Sequence, residues 1–315
     1  MIALVVHLLA ALTGCFDSSS VLATCDNGDV VACYKDGLAK ANAPRPQFTG
    51  ARKNFVQACM PTYREGSSPK ENHPPACYAL GKLVRDAKGG PTDLPRAVEM
   101  FSIACRSGIQ AACVDHGLLV YAPDASAGIR AEPERAVEFF FNACNTVDLL
   151  SLPENGEADP NARACAALGR AYVDGKGVEG GRTDLARAEQ MYRKACDARH
   201  APGCASVGDL LAKNKRTLVE ATELYTQACK IDARQGCFEL AQMHEAGRFK
   251  EADIELAVDY YRKTCTIDPT RGCFEAASLL EQGKVIPREG EVESLYNLAC
   301  EYGNEQACAK RSPGR

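Results

Sequence analysis

The chain has 315 residues, is 46% hydrophobic and 25% charged, and carries a formal net charge of −4, a balance normal for a soluble globular protein. It leaves no basic footprint for nucleic acid and no polybasic patch for an acidic membrane surface. Seventeen cysteines are the departure; a mesophile's cytosol keeps thiols reduced, so this number requires an oxidising compartment or a large metal load, and spacing must decide between them.

In chain order, Ile2 to Leu12 is an apolar run broken only by His7. It is too short to span a bilayer, which needs about 20 apolar residues, and has the form of the apolar region of a secretory signal. The run ends Leu12-Thr13-Gly14-Cys15. That string resembles a bacterial lipobox, which implies cleavage before Cys15 and acylation of its thiol. Residues 1–14 are therefore expected to be a lipoprotein signal peptide, Cys15 the lipidation site, and residues 15–24 a short tether containing Asp17-Ser18-Ser19-Ser20. An odd cysteine count leaves one thiol over in a secreted protein; assigning Cys15 to lipid leaves sixteen, an even number.

The sixteen fall into eight successive pairs. Six share a C-x7-C spacing: Cys25/Cys33, Cys105/Cys113, Cys196/Cys204, Cys229/Cys237, Cys265/Cys273 and Cys300/Cys308. Two are wider, Cys59/Cys77 and Cys144/Cys165. From Cys229 to Cys265 is 36 residues and from Cys265 to Cys300 is 35, the size of one helix–turn–helix repeat.

Residues before each first cysteine repeat too. Ala51, Phe55 and Cys59 recur as Ala97, Phe101, Cys105, then Ala136, Phe140, Cys144, then Ala188, Tyr192, Cys196. Ala221, Tyr225, Cys229 and Ala257, Tyr261, Cys265 follow, and the last set is Val292, Tyr296, Cys300. Steps of four keep these on one helical face, which predicts a helix B with a small, aromatic and sulfur stripe. After each second cysteine a helix A is predicted from Cys165, Leu168, Gly169, Tyr172 and its matches Cys77, Leu80, Gly81, Val84 and Cys204, Val207, Gly208, Leu211. Gly or Ala recurs at the fifth position although Gly costs about 1 kcal/mol in a helix interior. Close helix approach is the physical reason to tolerate it. Gly175-Lys176-Gly177 and Gly247 read as glycine stops for helix A.

Cys-x2-Leu-Gly, a turn, and Ala-x3-[Phe/Tyr]-x3-Cys together resemble the Sel1-like repeat over about residues 21–310. The cysteine form is similar to the Helicobacter cysteine-rich proteins and to a mitochondrial intermembrane-space assembly factor for cytochrome oxidase. The resemblance implies an all-α, α/α superhelical solenoid of about six to seven helix pairs over residues 25–310, with a tail at 311–315. It also implies a concave, helix A-lined face that binds a protein or peptide.

Within a C-x7-C pair the first cysteine closes helix B and the second opens the next helix A, so the two helix ends lie side by side and a disulfide fits between them. All eight pairs are expected to be bridged. Structural zinc sites favour two to four residues between paired ligands, and neither C-x2-C nor C-x2-C-H occurs. No metal and no cofactor is expected.

Two wide pairs imply insertions, Met60–Ala76 and Asn145–Ala164, and a third extension, Ala122–Pro133, lies within one repeat. Such insertions map to loops, often on a binding face. Ser67-Ser68-Pro69-Lys70 contains the S-x2-K string of penicillin-recognising enzymes; it is of interest because some Helicobacter relatives are associated with weak β-lactamase activity. The companion S-D-N and K-T-G strings are absent. His73, His116, His200 and His244 show no H-E-x2-H pattern and no shared spacing, and His116 and His244 fall on the helix A stripe, where packing is expected.

The leading reading is a non-enzymatic, monomeric scaffold of the bacterial cell envelope, carried across the inner membrane and held in the periplasm or at the outer membrane by its lipid. It would bind a protein or peptide and no nucleic acid. The alternatives are a β-lactamase or peptidoglycan-active hydrolase, and a haem or redox assembly factor.

Overall fold

The computed structural model describes residues 25–60, 72–146, 159–232, 234–248 and 252–310. Cys15, the tether and Ser67–Lys70 lie outside them. Among the described residues the protein is all-α, with fifteen α-helices, short single-turn pieces and no strand.

Among the described residues chain contacts separate two compact units, which divide between Ile109 and Gln110. The first holds α1 (Val30–Ala41), α2 (Phe48–Cys59), α3 (Pro74–Arg85) and α4 (Leu94–Arg106). The second holds α5 (Gln110–Tyr121), α6 (Pro133–Asn145), α7 (Pro160–Asp174), α8 (Leu185–Asp197), α9 (Ala201–Leu211) and α10 (Leu218–Ile231). It continues with α11 (Gly236–Glu245), α12 (Ile254–Cys265), α13 (Phe274–Glu281), α14 (Glu291–Glu301) and α15 (Glu305–Lys310). Within each unit every helix packs on the next, odd-numbered helices as helix A and even-numbered as helix B. In the second unit α5, α7, α9 and α11 also touch in sequence, so the A helices form a layer of their own.

Local chemistry sets the helix limits. Asp29, Asp93, Asp184 and Asp253 each accept a hydrogen bond from a first-turn N–H, those of Ala32, Arg96, Arg187 and Leu256; such caps satisfy donors the helix itself leaves over. Prolines stand at the first helical positions of α3, α6 and α7, where their missing N–H costs nothing. Gly175 ends α7 in the left-handed conformation (φ 66°). Gly247 (φ 61°) follows the end of α11.

Two sequence boundaries move. The insertion spans Met60–Ala76 and Asn145–Ala164 run into regular structure, because Pro74-Pro75-Ala76 and Pro160 to Ala164 are the opening turns of α3 and α7. Proline there begins a helix instead of prolonging a loop. The extension from Ala122 is a built connection: Asp124 accepts from the Ser126 N–H, Gly128 turns at φ 65°, and the Glu132 N–H donates to Val120 O at 2.7 Å.

The core is the helix B stripe. Ala51, Phe55, Ala97, Phe101, Ala136, Phe140, Ala188, Ala221, Tyr225, Ala257 and Tyr261 are all at most 2% exposed. Because the small residues let helices approach and the rings fill what remains, neighbouring pairs bury shared apolar clusters, as Tyr192, Val207, Tyr225 and Leu240 do, that no single pair could close alone.

Candidate functional site: stapled helix ends and the helix A face

Five aromatic rings of helix B sit directly on a glycine of the preceding helix A. A Cβ at Gly37 would lie 2.5 Å from Phe55, at Gly81 2.6 Å from Phe101, and at Gly117 2.7 Å from Phe140. Gly169 stands in the same relation to Tyr192 and Gly208 to Tyr225, each at 2.7 Å. The fifth-position glycine is thus a socket for the ring. The pairs Phe238–Tyr261 and Phe274–Tyr296 add ring contacts where Ala241 and Ala277 replace the glycine.

Six disulfides join the end of one helix B to the start of the next helix A: Cys59–Cys77, Cys144–Cys165, Cys196–Cys204, Cys229–Cys237, Cys265–Cys273 and Cys300–Cys308; in a seventh, Cys25–Cys33, the first cysteine stands in the single turn Cys25–Asn27 ahead of α1 and not on a helix B. Cys105 and Cys113 are disulfide-bonded as well. The Cα atoms of the seven pairs lie only 4.3–4.7 Å apart. Small residues make that approach possible: a Cβ at Gly203 or Gly236 would collide with Ala195 or Ala228 at 2.7 and 2.6 Å. Both wide-loop disulfides also touch a methionine of the following helix B, Cys59 Sγ with Met100 Sδ at 3.4 Å and Cys144 Sγ with Met191 Sδ at 3.9 Å.

The ring stripe changes chemistry along the chain. Phe55, Phe101 and Phe140 give way to Tyr192, Tyr225, Tyr261 and Tyr296. The hydroxyls of the last three donate to helix A carboxylates: Tyr225 to Asp209 (2.8 Å), Tyr261 to Glu245 (2.8 Å) and Tyr296 to Glu281 (3.0 Å). Burial and the carboxylate hydrogen bond push the Tyr296 hydroxyl up to about 12, and Tyr225 and Tyr261 higher still. Burial raises Asp209 despite the tyrosine hydrogen bond. It raises Glu239 and Glu275 too, with Asp209 and Glu245 respectively adding repulsion. These groups line one part of the helix A face, with the Arg271 guanidinium stacked 3.9 Å from the Phe238 ring.

Two histidines share a role that the sequence reading missed. His73 and His200 each stand four residues before the second cysteine of a pair, and Nδ1 of each accepts a first-turn N–H, from Ala76 (3.3 Å) and Gly203 (3.2 Å). The legible signal was His-x-Pro-x-Cys, in His73-Pro74-Pro75-Ala76-Cys77 and His200-Ala201-Pro202-Gly203-Cys204. Burial, with Arg163 adding positive charge nearby, lowers His200 to about 4. His116 is buried against Phe139 and His244 stacks on Tyr260. On α5, Asp115 is 1% exposed and pairs with Arg163 of α7 at 2.5 Å. Among the described residues no group of three or more His, Cys, Asp or Glu is placed to hold a metal ion, and no helix is long and apolar enough to cross a membrane.

The Sel1 repeat family model matches residues 74–109, 162–200 and 234–266, each an A/B helix pair of the fold just described. The chain carries Sel1 repeats. A Sel1 repeat protein from Oxalobacter formigenes has a similar structure, with a TM-score of 0.59 at 16% identity over 90% of this chain and 76% of that one. An immunity protein, Pa5087 from Pseudomonas aeruginosa, superposes with a TM-score of 0.52 at 15% identity over 76% of this chain and 86% of its own. Identities this low show the fold alone. No curated protein matches the chain. In this Sel1-repeat chain, sixteen oxidised cysteines point to an oxidising compartment outside the cytosol, since cytosolic reductants would keep them as thiols.

Proposed function

We propose that this Sel1-repeat protein is a non-enzymatic, monomeric scaffold of the bacterial cell envelope that binds a protein or peptide on its helix A face. The signal at residues 1–14 directs export across the inner membrane, the lipid on Cys15 holds the chain in the periplasm or at the outer membrane, and residues 15–24 tether the repeats of 25–310. The observation that carries the binding reading is the row of tyrosine-oriented carboxylates, Asp209, Glu245 and Glu281, each held by a ring seated in the core. A carboxylate fixed in this way binds with less entropy lost than a free surface side chain. The disulfides support the same reading, because a surface spread over many helices recognises a partner only while their spacing is held.

The oxidised full chain, bound to a support, is incubated with detergent-solubilised envelope and compared with D209N/E245Q/E281Q, whose helicity is checked by circular dichroism. A partner retained by the wild type and lost by the triple variant is expected. Equal retention would remove the helix A face from the reading, and no retention above an unrelated lipoprotein would remove the scaffold function. Incorporation of labelled palmitate, abolished in Cys15→Ala, is the matching test of the anchor.

A further inference from the structure

The disulfides differ in one respect that spacing does not reveal, their access to solvent. Cys33, Cys59, Cys77, Cys204 and Cys273 are 0% exposed, and Cys25, Cys144, Cys165, Cys196, Cys237 and Cys265 are at most 7% exposed. Cys105, Cys113, Cys229 and Cys300 are half-buried. Cys308 alone among the described cysteines is exposed.

The packing explains this. Cys196 and Cys204 share a core cluster with Tyr225 of the next repeat, and Cys265 and Cys273 share one with Tyr296. Cys59 lies against Met100 and Cys144 against Met191. In each of these four a side chain of the following helix B packs with the bridge. The last disulfide, Cys300–Cys308, joins α14 to α15, and among the described residues no helix B follows.

The grip on α15 is also slight. The helix has six residues and buries Ala307 alone. Asn304 caps it through the Ala307 N–H and donates to Thr270 O at 2.7 Å, and Lys310 reaches Glu281 at 2.7 Å. A helix of this length has no stability of its own in water.

We propose that Cys300–Cys308 is a thiol–disulfide exchange site that accepts a dithiol, while the buried bridges are structural. An incoming thiolate attacks the exposed Cys308 Sγ. A mixed disulfide forms on Cys308, the Cys300–Cys308 bond breaks, and Cys300 leaves as a thiolate that takes a proton from water. The second thiol of the dithiol then attacks the mixed disulfide, Cys308 departs as a thiol, and the dithiol is left oxidised to its disulfide. Two electrons pass from the dithiol to the protein. The sequence runs in reverse when a disulfide donor meets the reduced pair. Exchange rates depend on which sulfur can be reached, and here the reachable sulfur is on the cysteine whose release frees α15 from α14.

The test uses the oxidised full chain. Limiting dithiothreitol in one arm, and thioredoxin with its reductase and NADPH in another, is followed by alkylation and peptide mass spectrometry. Cys300 and Cys308 should be labelled at least about tenfold faster than any other pair. Selectivity in both arms supports the site and assigns it to a protein dithiol; selectivity with dithiothreitol alone supports it and assigns it to small thiols. Even labelling of all pairs, or earlier labelling of another, overturns the proposal. Cys300→Ser/Cys308→Ser, with helicity checked, should leave every other disulfide-bonded cysteine unlabelled under the same conditions. Labelling of the remaining pairs in that variant would show a staple protecting its neighbours and would also overturn the proposal.

Discussion

Gly81 of α3 lies beneath the ring of Phe101 on α4, so close that a Cβ on residue 81 would stand 2.6 Å from Phe101 Cε1. The same contact joins the two helices of four other repeats. It sets the spacing within a repeat just as the disulfides set the spacing between repeats.

The first prediction follows from that contact. Ala is the better helix former by about 1 kcal/mol, so helix propensity alone would make Gly81→Ala stabilising. Phe101 is 0% exposed and cannot withdraw, and overpacking a closed core costs about 1–3 kcal/mol. Gly81→Ala should therefore lower the urea midpoint, and Phe101→Leu should restore part of the loss in the double variant. A rise in the midpoint for the single variant would show that the ring yields.

Tyr225→Phe keeps the ring in its socket and removes only the hydroxyl that donates to Asp209. Asp209 is exposed at its outer side, so water replaces the donor in part and the cost is about 0.5–1.5 kcal/mol. The loss should appear as a lower unfolding free energy at neutral pH. Measured in an Asp209→Ala background, which leaves the hydroxyl no side-chain acceptor, the effect of Tyr225→Phe should largely vanish, as a double-mutant cycle would read.

His200 predicts an acid-side loss of stability. Its folded value is lowered to about 4 from an ordinary 6.5, so the unfolded chain takes up the proton first. The stability tied to the neutral ring is complete above pH 6.5 and is lost as pH falls through the window down to 4. His200→Asn retains a capping acceptor that does not titrate. Thermal midpoints between pH 7 and pH 4.5 should fall less in this variant than in the wild type; identical slopes would rule out His200 as the source.

Arg163→Met removes the guanidinium that pairs with Asp115 across α5 and α7. Asp115 is 1% exposed, and removing one partner of a buried ion pair costs about 3 kcal/mol or more. Asp115→Asn should recover a substantial part of that loss when combined with Arg163→Met. Chemical denaturation of the three variants measures both quantities.

Much of the fold was legible because its determinants are local and recur. The Ala, ring and cysteine steps of four state both the helix and its buried face, and the cysteine periodicity states the repeat. His73 and His200 were harder to read, since their shared role appears only when each is counted from the second cysteine of its pair. Pro74 and Pro160 looked like loop residues because proline at a helix start and proline in a loop are the same letter. The sequence marked Gly81 and Gly208 as places of close approach, without showing that each receives the ring of one particular residue.

What the sequence determined by itself is therefore the repeating unit: two helices, a small-residue contact and a cysteine at each joint, all set by interactions within about 35 residues of one another. What the tertiary structure decided is how identical motifs differ. Tyr192 and Tyr225 occupy equivalent positions with the same hydroxyl, yet Tyr192 meets Ser206 and Tyr225 donates to the Asp209 carboxylate. Cys265–Cys273 and Cys300–Cys308 have the same spacing, yet the first is buried in one core cluster with Tyr296 and the second exposes Cys308. The physical reason is that burial and hydrogen bonding belong to the neighbouring helices, and a repeat's own residues do not specify what packs over them.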